Sequence, residues 1–156
     1  MIEIERKFLV KSNTYRLKAF QETRISQGFL NTHPERTVRI RIMGYGAFIT
    51  IKGKSSSDGL QRYEWEKEID VTDAEDLLKL CEPGIIEKQR YLVKHGKHIF
   101  EIDEFSGEND GLVVAEVELN HLSEEIEPPA WLGEEVTGQT KYYNSQLIKN
   151  PYRNWK

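Results

Sequence analysis

Ile2-Glu3-Ile4-Glu5-Arg6-Lys7-Phe8 is the stretch on which the reading of the whole chain turns. In an extended strand successive side chains point to opposite faces, so Glu3, Glu5 and Lys7 share one face while Ile2, Ile4 and Phe8 share the other. The same i, i+2 placement of charge returns as Arg39/Arg41, Lys52/Lys54, Arg62/Glu64/Glu66/Glu68, Lys88/Arg90, Glu101/Asp103 and Glu116/Glu118. Charge of both signs is being collected on strand faces along the length of the chain.

The chain has 156 residues, 38% hydrophobic and 31% charged, enough for one domain with a real core. Residues 1–156 are therefore read as a single domain. A formal net charge of -4 provides no general attraction to nucleic acid or to an anionic membrane, so any bound anion must be met by a local basic cluster. No apolar run reaches transmembrane length, and the sequence opens on a strand-like segment rather than a signal peptide. A cytoplasmic location is expected. The single cysteine, Cys81, cannot form an internal disulfide and is assigned no chemical role.

Alternation and β-branched or aromatic enrichment mark eight strands, near 2–10, 24–31, 36–43, 47–54, 61–70, 85–93, 98–105 and 112–120. Gly44-Tyr45-Gly46, Ser55–Gly59 and His95-Gly96-Lys97 are the connectors that make neighbours pair antiparallel. A helix is expected over about 72–82, with Thr72 and Glu75 as a capping box and Pro83-Gly84 as its stop. Shorter helical stretches are expected near 12–21 and, after Gly133, over 134–149. The fold class is α+β, mainly β. Eight sequential antiparallel strands most simply close into a barrel, since closure removes exposed edges.

Which face of the strands points inward is not settled by periodicity. The commoner arrangement buries Ile4, Phe8, Val38, Ile40, Ile42, Ile49, Ile51, Trp65, Ile69, Val117 and Leu119 inside and leaves the charges in water. The inverse places the charged faces around a water-filled bore and covers the apolar faces with helices. Electrostatics favours the bore. Carboxylates stand in register as Glu3/Glu5, Glu64/Glu66 and Glu116/Glu118, and two of them ~5 Å apart repel by about 3 kcal/mol at an effective dielectric of 20. Such pairs call for cations, and glutamate oxygens without cysteine or suitably spaced histidine suit Mg²⁺ or Mn²⁺ rather than zinc.

These residues resemble the CYTH superfamily, the triphosphate tunnel metalloenzymes, whose hallmark is ExExK on the first strand of an eight-stranded tunnel. After Glu3-x-Glu5-x-Lys7 and Phe8-Leu9-Val10 the resemblance runs through Gln27-Gly28-Phe29-Leu30, Val38-Arg39-Ile40-Arg41, Thr50-Ile51-Lys52-Gly53-Lys54, Tyr63-Glu64-Trp65-Glu66, Lys88-Gln89-Arg90-Tyr91, Ala115-Glu116-Val117-Glu118-Leu119 and Trp131–Thr137. The short bacterial members are the most similar. The resemblance implies metal ligands at Glu3, Glu5, Glu64, Glu66, Glu116 and Glu118. It implies a phosphate clamp of Lys7, Arg39, Arg41, Lys52, Lys54, Lys88 and Arg90, with Arg62 added beside Glu64. Glu5, Lys7, Glu116 and Glu118 are the expected catalytic groups, Glu116 or Glu118 taking the proton of the attacking water. Phe29 departs from the family, which commonly has tyrosine there, and so lacks a hydroxyl.

The implied reaction is metal-dependent hydrolysis of a triphosphate anhydride, with inorganic tripolyphosphate as the expected substrate and pyrophosphate and phosphate as products. The compact chain shows no surplus segment for a base or sugar. Class IV-type adenylate cyclase, thiamine or nucleoside triphosphatase, and a non-enzymatic polyphosphate-binding module are the alternatives. A homodimer is the expected oligomer by base rate. Two other anion motifs fail: a P-loop ending at Gly53-Lys54-Ser55 would need glycine where Phe48 stands, and Gly44-x-Gly46 lacks the third glycine of a dinucleotide fingerprint.

Overall fold

A computed structural model describes residues 1–155. The strands are β1 (Ile2–Val10), β2 (Gln21–Asn31), β3 (Arg36–Met43), β4 (Gly46–Gly53), β5 (Gln61–Ile69), β6 (Ile86–His95), β7 (His98–Phe105), β8 (Val113–Glu118) and β9 (Leu132–Glu135), with helices α1 (Val71–Leu78) and α2 (Asn144–Leu147). All strand pairs are antiparallel, in the order β5-β4-β3-β2-β6-β7-β8-β1-β9, and β5 pairs again with β1. That last pairing, with Ile2 opposite Tyr63 and Glu3 opposite Arg62, closes β1–β8 into a barrel. β5 takes the first half of one flank of β1, and β9 takes the second half, through Phe8 and Val10. No helix among the described residues is long and apolar enough to cross a membrane.

Three expected elements differ from those observed. The helix over 134–149 is absent; the segment instead supplies β9, a 3-10 turn at Thr140–Tyr142 and the single-turn α2. Gly133 explains the strand. A Cβ there would lie 2.9 Å from the carbonyl oxygen of Leu9, so only glycine lets the chain come against β1 this closely. The helix expected over 72–82 begins one residue earlier and ends at Leu78, with Asp70 as its N-cap, so Thr72 and Glu75 do not form the capping box. The stretch near 12–21 is a 3-10 helix, Thr14–Lys18, and β2 begins at Gln21.

The charged faces point into the barrel. Lys7, Gln27, Arg41, Thr50, Lys88, Arg90 and Asp103 are all buried, whereas Trp65 is 43% exposed and Tyr63 47%. The apolar core lies outside the bore, as coats over the outer faces. α1 covers β3 and β4, with Ala74 against Ile40 and Ala47. Tyr15 and Trp131, from the segments before β2 and before β9, cover Phe8, Val93, Phe100, Ile102, Ala115 and Val117. A third cluster sits on the inward parity at one end of the barrel. There Ile86, Phe105 and Val114 meet Val136, Tyr142 and Leu147, so the C-terminal segment fills that mouth rather than docking on the barrel wall.

If β9 depends on backbone approach at Gly133, Gly133→Ala should lower the unfolding free energy by about 1–3 kcal/mol. Urea melts would read this as a lower midpoint at an unchanged slope. An unaltered midpoint would mean that β9 does not bear on β1.

Candidate active site

Register sets the inward faces opposite one another. Glu5 pairs with Glu118 and Lys7 with Glu116 across β1 and β8, Glu101 pairs with Glu116 across β7 and β8, and Arg90 pairs with Asp103 across β6 and β7. On the other side Gln27 faces Arg41, Phe29 faces Arg39, Arg39 faces Thr50, Thr50 faces Glu66 and Lys52 faces Glu64. These strands and the C-terminal segment surround a partly open void of ≈ 850 Å³ lined by Glu3, Glu5, Lys7, Arg39, Lys52 and Glu116 among others.

The cations divide by how tightly they are held. Arg90 donates Nε and Nη2 to the two oxygens of Asp103 at 2.8 and 2.9 Å and Nη1 to Glu101 at 3.1 Å. Lys88 lies 2.9 Å from the same Asp103 and donates to Asn144 at 3.0 Å. Burial alone would raise the Asp103 carboxyl, but Arg90 and Lys88 hold it well below the usual carboxylate range. Burial lowers Lys88 to about 8, against the attraction of Asp103. Lys52 bridges Glu3 at 2.9 Å and Glu64 at 3.2 Å.

Arg39 and Arg41 are held more loosely, each reaching Glu66 with one nitrogen at 3.5 and 3.4 Å. Their Nε groups are buried without a partner. Burial, with repulsion from Arg39 and Arg90, depresses Arg41 to about 9. Of the two, Arg39 lines the void, and an unspent guanidinium donor is a group suited to an oxyanion. Lys7 stands nearby, 3.7 Å from Glu116 and 5.0 Å from the ring centre of Tyr143.

Acid is in surplus on the β1–β8 side. Burial and then the neighbouring Glu116 push Glu5 well above its ordinary pKa. Glu116, which burial would raise, is held at about 2 chiefly by Lys7, aided by a hydrogen bond from Glu5. Of this pair, Glu5 is the carboxyl whose ionisation the surroundings disfavour and Glu116 the one they favour. Burial also raises Glu3 and Glu118, each further raised by a carboxyl neighbour.

Placement of the expected residues can be stated one by one. Glu3, Glu5, Lys7, Arg39, Arg41, Lys52, Arg62, Glu64, Glu66, Lys88, Arg90, Glu116 and Glu118 all lie on inward faces. Lys54 does not join them. β4 ends at Gly53, and Lys54 is exposed at a neighbouring cavity. Among the described residues no three acidic or imidazole groups converge on one point, so the six glutamates meet in pairs rather than as a closed cage. Glu101 and Asp103 are full members of the charge network. Thr50, wholly buried, donates to Glu66 at 2.7 Å and accepts from Arg39 at 3.1 Å. Asn144 accepts from Gln27 and Lys88, both at 3.0 Å. The parity of Thr50 with Lys52 could have marked it in advance; nothing in the sequence marks Asn144, which arrives from the far end of the chain.

Asp103 is the residue whose loss should be felt most. Asp103→Asn leaves two buried cations short of their shared anion and should cost about 3–5 kcal/mol at neutral pH. Because the carboxyl is depressed in the folded state, that stabilisation is full above about pH 4 and declines as pH falls toward the lower folded value. Chemical denaturation of both proteins at pH 7 and pH 3 should therefore show the gap narrowing in acid.

The chain matches the CYTH domain over residues 1–150. It is 42% identical over 155 residues to the inorganic triphosphatase of Acetivibrio thermocellus, a match spanning 99% of this chain and 97% of that protein. The inorganic triphosphatase of Nitrosomonas europaea is 40% identical over 153 residues, covering 94% of this chain and 97% of its own. The crystal structure of the inorganic triphosphatase NE1496 superposes with a TM-score of 0.67 at 34% identity, over 94% of this chain and 93% of that one. The PH1012 protein of Pyrococcus horikoshii shares the fold at 18% identity, with a TM-score of 0.61. Relatives that span the whole barrel, with the Glu3-Glu5-Lys7 face turned into its bore, place this chain in the CYTH family.

Proposed function

We propose that this chain is a divalent-metal-dependent triphosphatase that hydrolyses inorganic tripolyphosphate to pyrophosphate and phosphate. One observation carries the reading: the cations Lys7, Arg39, Lys52 and Lys88, Arg39 with a buried Nε left unpartnered, line the same void as the carboxylates of Glu3, Glu5 and Glu116. The first half of that arrangement suits phosphate oxygens and the second suits hard cations. The relatives named inorganic triphosphatase support the same substrate class.

The donor set fits Mg²⁺ or Mn²⁺. Those ions bind through one or two carboxylates and keep their remaining positions for water and substrate phosphate, which pairs of glutamates allow and a closed cage would not. Burial and the neighbouring Glu116 disfavour the charge of Glu5, and a divalent ion held by pairs of these carboxylates, Glu3 and Glu5 or Glu116 and Glu118, would favour it. Glu64 and Glu66, across the bore, are the remaining ligands of the reading. When bound, the metal polarises phosphate oxygens and lowers the pKa of an attendant water.

The side chains do the rest. Arg39, Arg41, Lys7, Lys52 and Lys88 neutralise the non-bridging oxygens and hold the chain in line for attack. Glu116 or Glu118 accepts the proton of the attacking water as the anhydride P–O bond breaks, and the leaving pyrophosphate keeps the bond's electron pair against the cations. Arg90, already spent on Asp103 and Glu101, acts by setting the positions of Lys88 and of the bore wall. No nucleophilic serine, cysteine or histidine enters. Phe29 and Tyr143 are the aromatic residues of the bore, and Tyr143 is engaged by Lys7, which leaves little for an adenine ring. A cytoplasmic location and a homodimer belong to the same reading.

Tripolyphosphate should therefore exceed ATP, GTP and thiamine triphosphate by more than tenfold in kcat/KM, about 1.4 kcal/mol, with no appreciable cyclic AMP from ATP. Excess chelator and Glu5→Gln should each abolish turnover; undiminished hydrolysis in chelator would end the metal hypothesis. Arg39→Ala or Lys52→Ala should cost at least ~2 kcal/mol in transition-state stabilisation, while Lys79→Ala, whose side chain is 79% exposed on the outside, should be silent.

Lys88 provides a pH test. Its folded pKa of about 8 lies below the free value, so its positive charge is lost as pH rises through about 8. Titration calorimetry of tripolyphosphate against the metal-free protein should show affinity falling between pH 7 and pH 9, and a flat profile would remove Lys88 from the clamp.

A further inference from the structure

Lys88 is the most enclosed lysine of the bore, 1% exposed, and its ammonium has three N–H groups to place. Asp103 stands 2.9 Å away, and the Oδ1 of Asn144 accepts at 3.0 Å. Two donors are thus accounted for. Lys88 and Asn144 both line the void, so the third N–H is the one left for a ligand there. A lysine stem is flexible, and Asp103 alone would hold the charge without fixing the direction of that remaining donor.

The amides around Asn144 are turned to suit Lys88. An ammonium only donates, so Asn144 must present its oxygen to it. Gln27, wholly buried, then brings its Nε2 to the same oxygen at 3.0 Å, and its own Oε1 is left buried without a partner. An unpaired buried acceptor is costly, and two amides serving the packing alone would have no cause to crowd both donors onto one oxygen. Asn144 reaches this place because the segment before it folds into the mouth of the bore, where the carbonyl oxygen of Tyr142 also accepts from Lys7 at 3.4 Å.

We propose that Asn144 is a positioning residue for phosphate binding: its side-chain oxygen, braced by Gln27, fixes Lys88 so that the remaining N–H is aimed at a phosphate oxygen. The role rests on the reading that phosphate occupies the bore. Asn144 acts through Lys88 and needs no contact of its own with the ligand. Loss of its amide should therefore weaken binding while Lys88 is present and matter little once Lys88 is gone.

Titration calorimetry of tripolyphosphate against the full chain in chelator tests this with three variants: Asn144→Leu, which keeps the shape and removes the acceptor, Lys88→Met, and the two together. At pH 7 Asn144→Leu should bind at least tenfold more weakly than the wild type, and the double variant should stay within threefold of Lys88→Met. A smaller loss in Asn144→Leu, or a double variant that falls further, would overturn the assignment, the second because Asn144 would then act by packing or by touching the ligand itself. A pH profile gives a readout that does not depend on the folding of Lys88→Met. Lys88 is faced by Asp103 on β7, Glu116 on β8, Arg90 on its own strand and Lys7 on β1, and Asn144→Leu alters none of these. A charged Lys88 that has lost an acceptor gives up its proton more readily, so the fall in affinity between pH 7 and pH 9 should move down by about half a pH unit or more. An unmoved profile would also overturn the role. Failure of the wild type to bind tripolyphosphate would sink the phosphate reading and this role with it, whereas binding that Asn144→Leu leaves unchanged would remove the positioning role alone.

Discussion

Asp103 accepts two hydrogen bonds from Arg90 and lies within ion-pair distance of Lys88, all three side chains being at least nine-tenths buried. Taking each of these charges out of water costs several kcal/mol, and only mutual pairing with good geometry makes the arrangement tolerable. The same constraint governs the rest of the bore. Wherever β6, β7, β8 and β1 bring like charges into register, as at Glu101/Glu116 and Glu5/Glu118, a cation from an adjacent row or a proton must make up the difference. The strand order is thus also an order of charges. Shifting any strand by one residue would turn its charged row into the apolar coats and its apolar row into the bore.

Neutralisation is complete on one side of the barrel and incomplete on the other, and the incompleteness is what makes a site. Around Asp103 the Arg90 guanidinium is spent, on Asp103 and Glu101. Around Arg39 and Arg41 the Nε donors are not, and around Glu5 burial and the neighbouring Glu116 outweigh the pull of Lys52 and Lys7. A fully satisfied network would be rigid and inert; a receptor for a polyanion with its metal ions needs donors and acceptors left over, held in place by neighbours that have none. The Arg90–Asp103 pair serves as such a neighbour, and Thr50 does the same for Arg39 and Glu66.

Turning the charges inward leaves an outer surface of β-branched and aromatic residues that must be kept from water. The cover comes from pieces with little regular structure: Tyr15 from a 3-10 helix, Trp131 from the approach to β9, and Ala74 with its neighbours from the two turns of α1. The C-terminal segment has a different task. By bringing Tyr142 and Leu147 against Ile86, Phe105 and Val114 it seals one end of the bore with apolar side chains, and in doing so delivers Asn144 to Lys88 and Gln27 and the Tyr143 ring to Lys7. Local packing at the mouth and polar contacts in the site are set by one short stretch of chain.

The amino-acid sequence by itself determined eight strands, the hairpin pairings β3–β4, β4–β5 and β6–β7, and the row of each charged residue in them, because a period of two is a local property that Glu3, Glu5 and Lys7 display without any partner. It also pointed to the chemistry, through the resemblance of Glu3-x-Glu5-x-Lys7 and the later charged blocks to the CYTH family. Which row faces inward was decided only by tertiary structure. Both choices satisfy the same pattern, and only closure of β5 onto β1 and the coats of Tyr15, Trp131 and α1 make the apolar row the outer one. Tertiary structure alone also made residues 132–135 a strand, through a backbone contact between Gly133 and Leu9 that no local propensity encodes. It placed Lys54 beyond the end of β4, outside the row its parity suggests. It brought Asn144 to Lys88, 56 residues away, because the contact arises from the docking of an irregular segment whose path is set by what it covers rather than by its own sequence pattern.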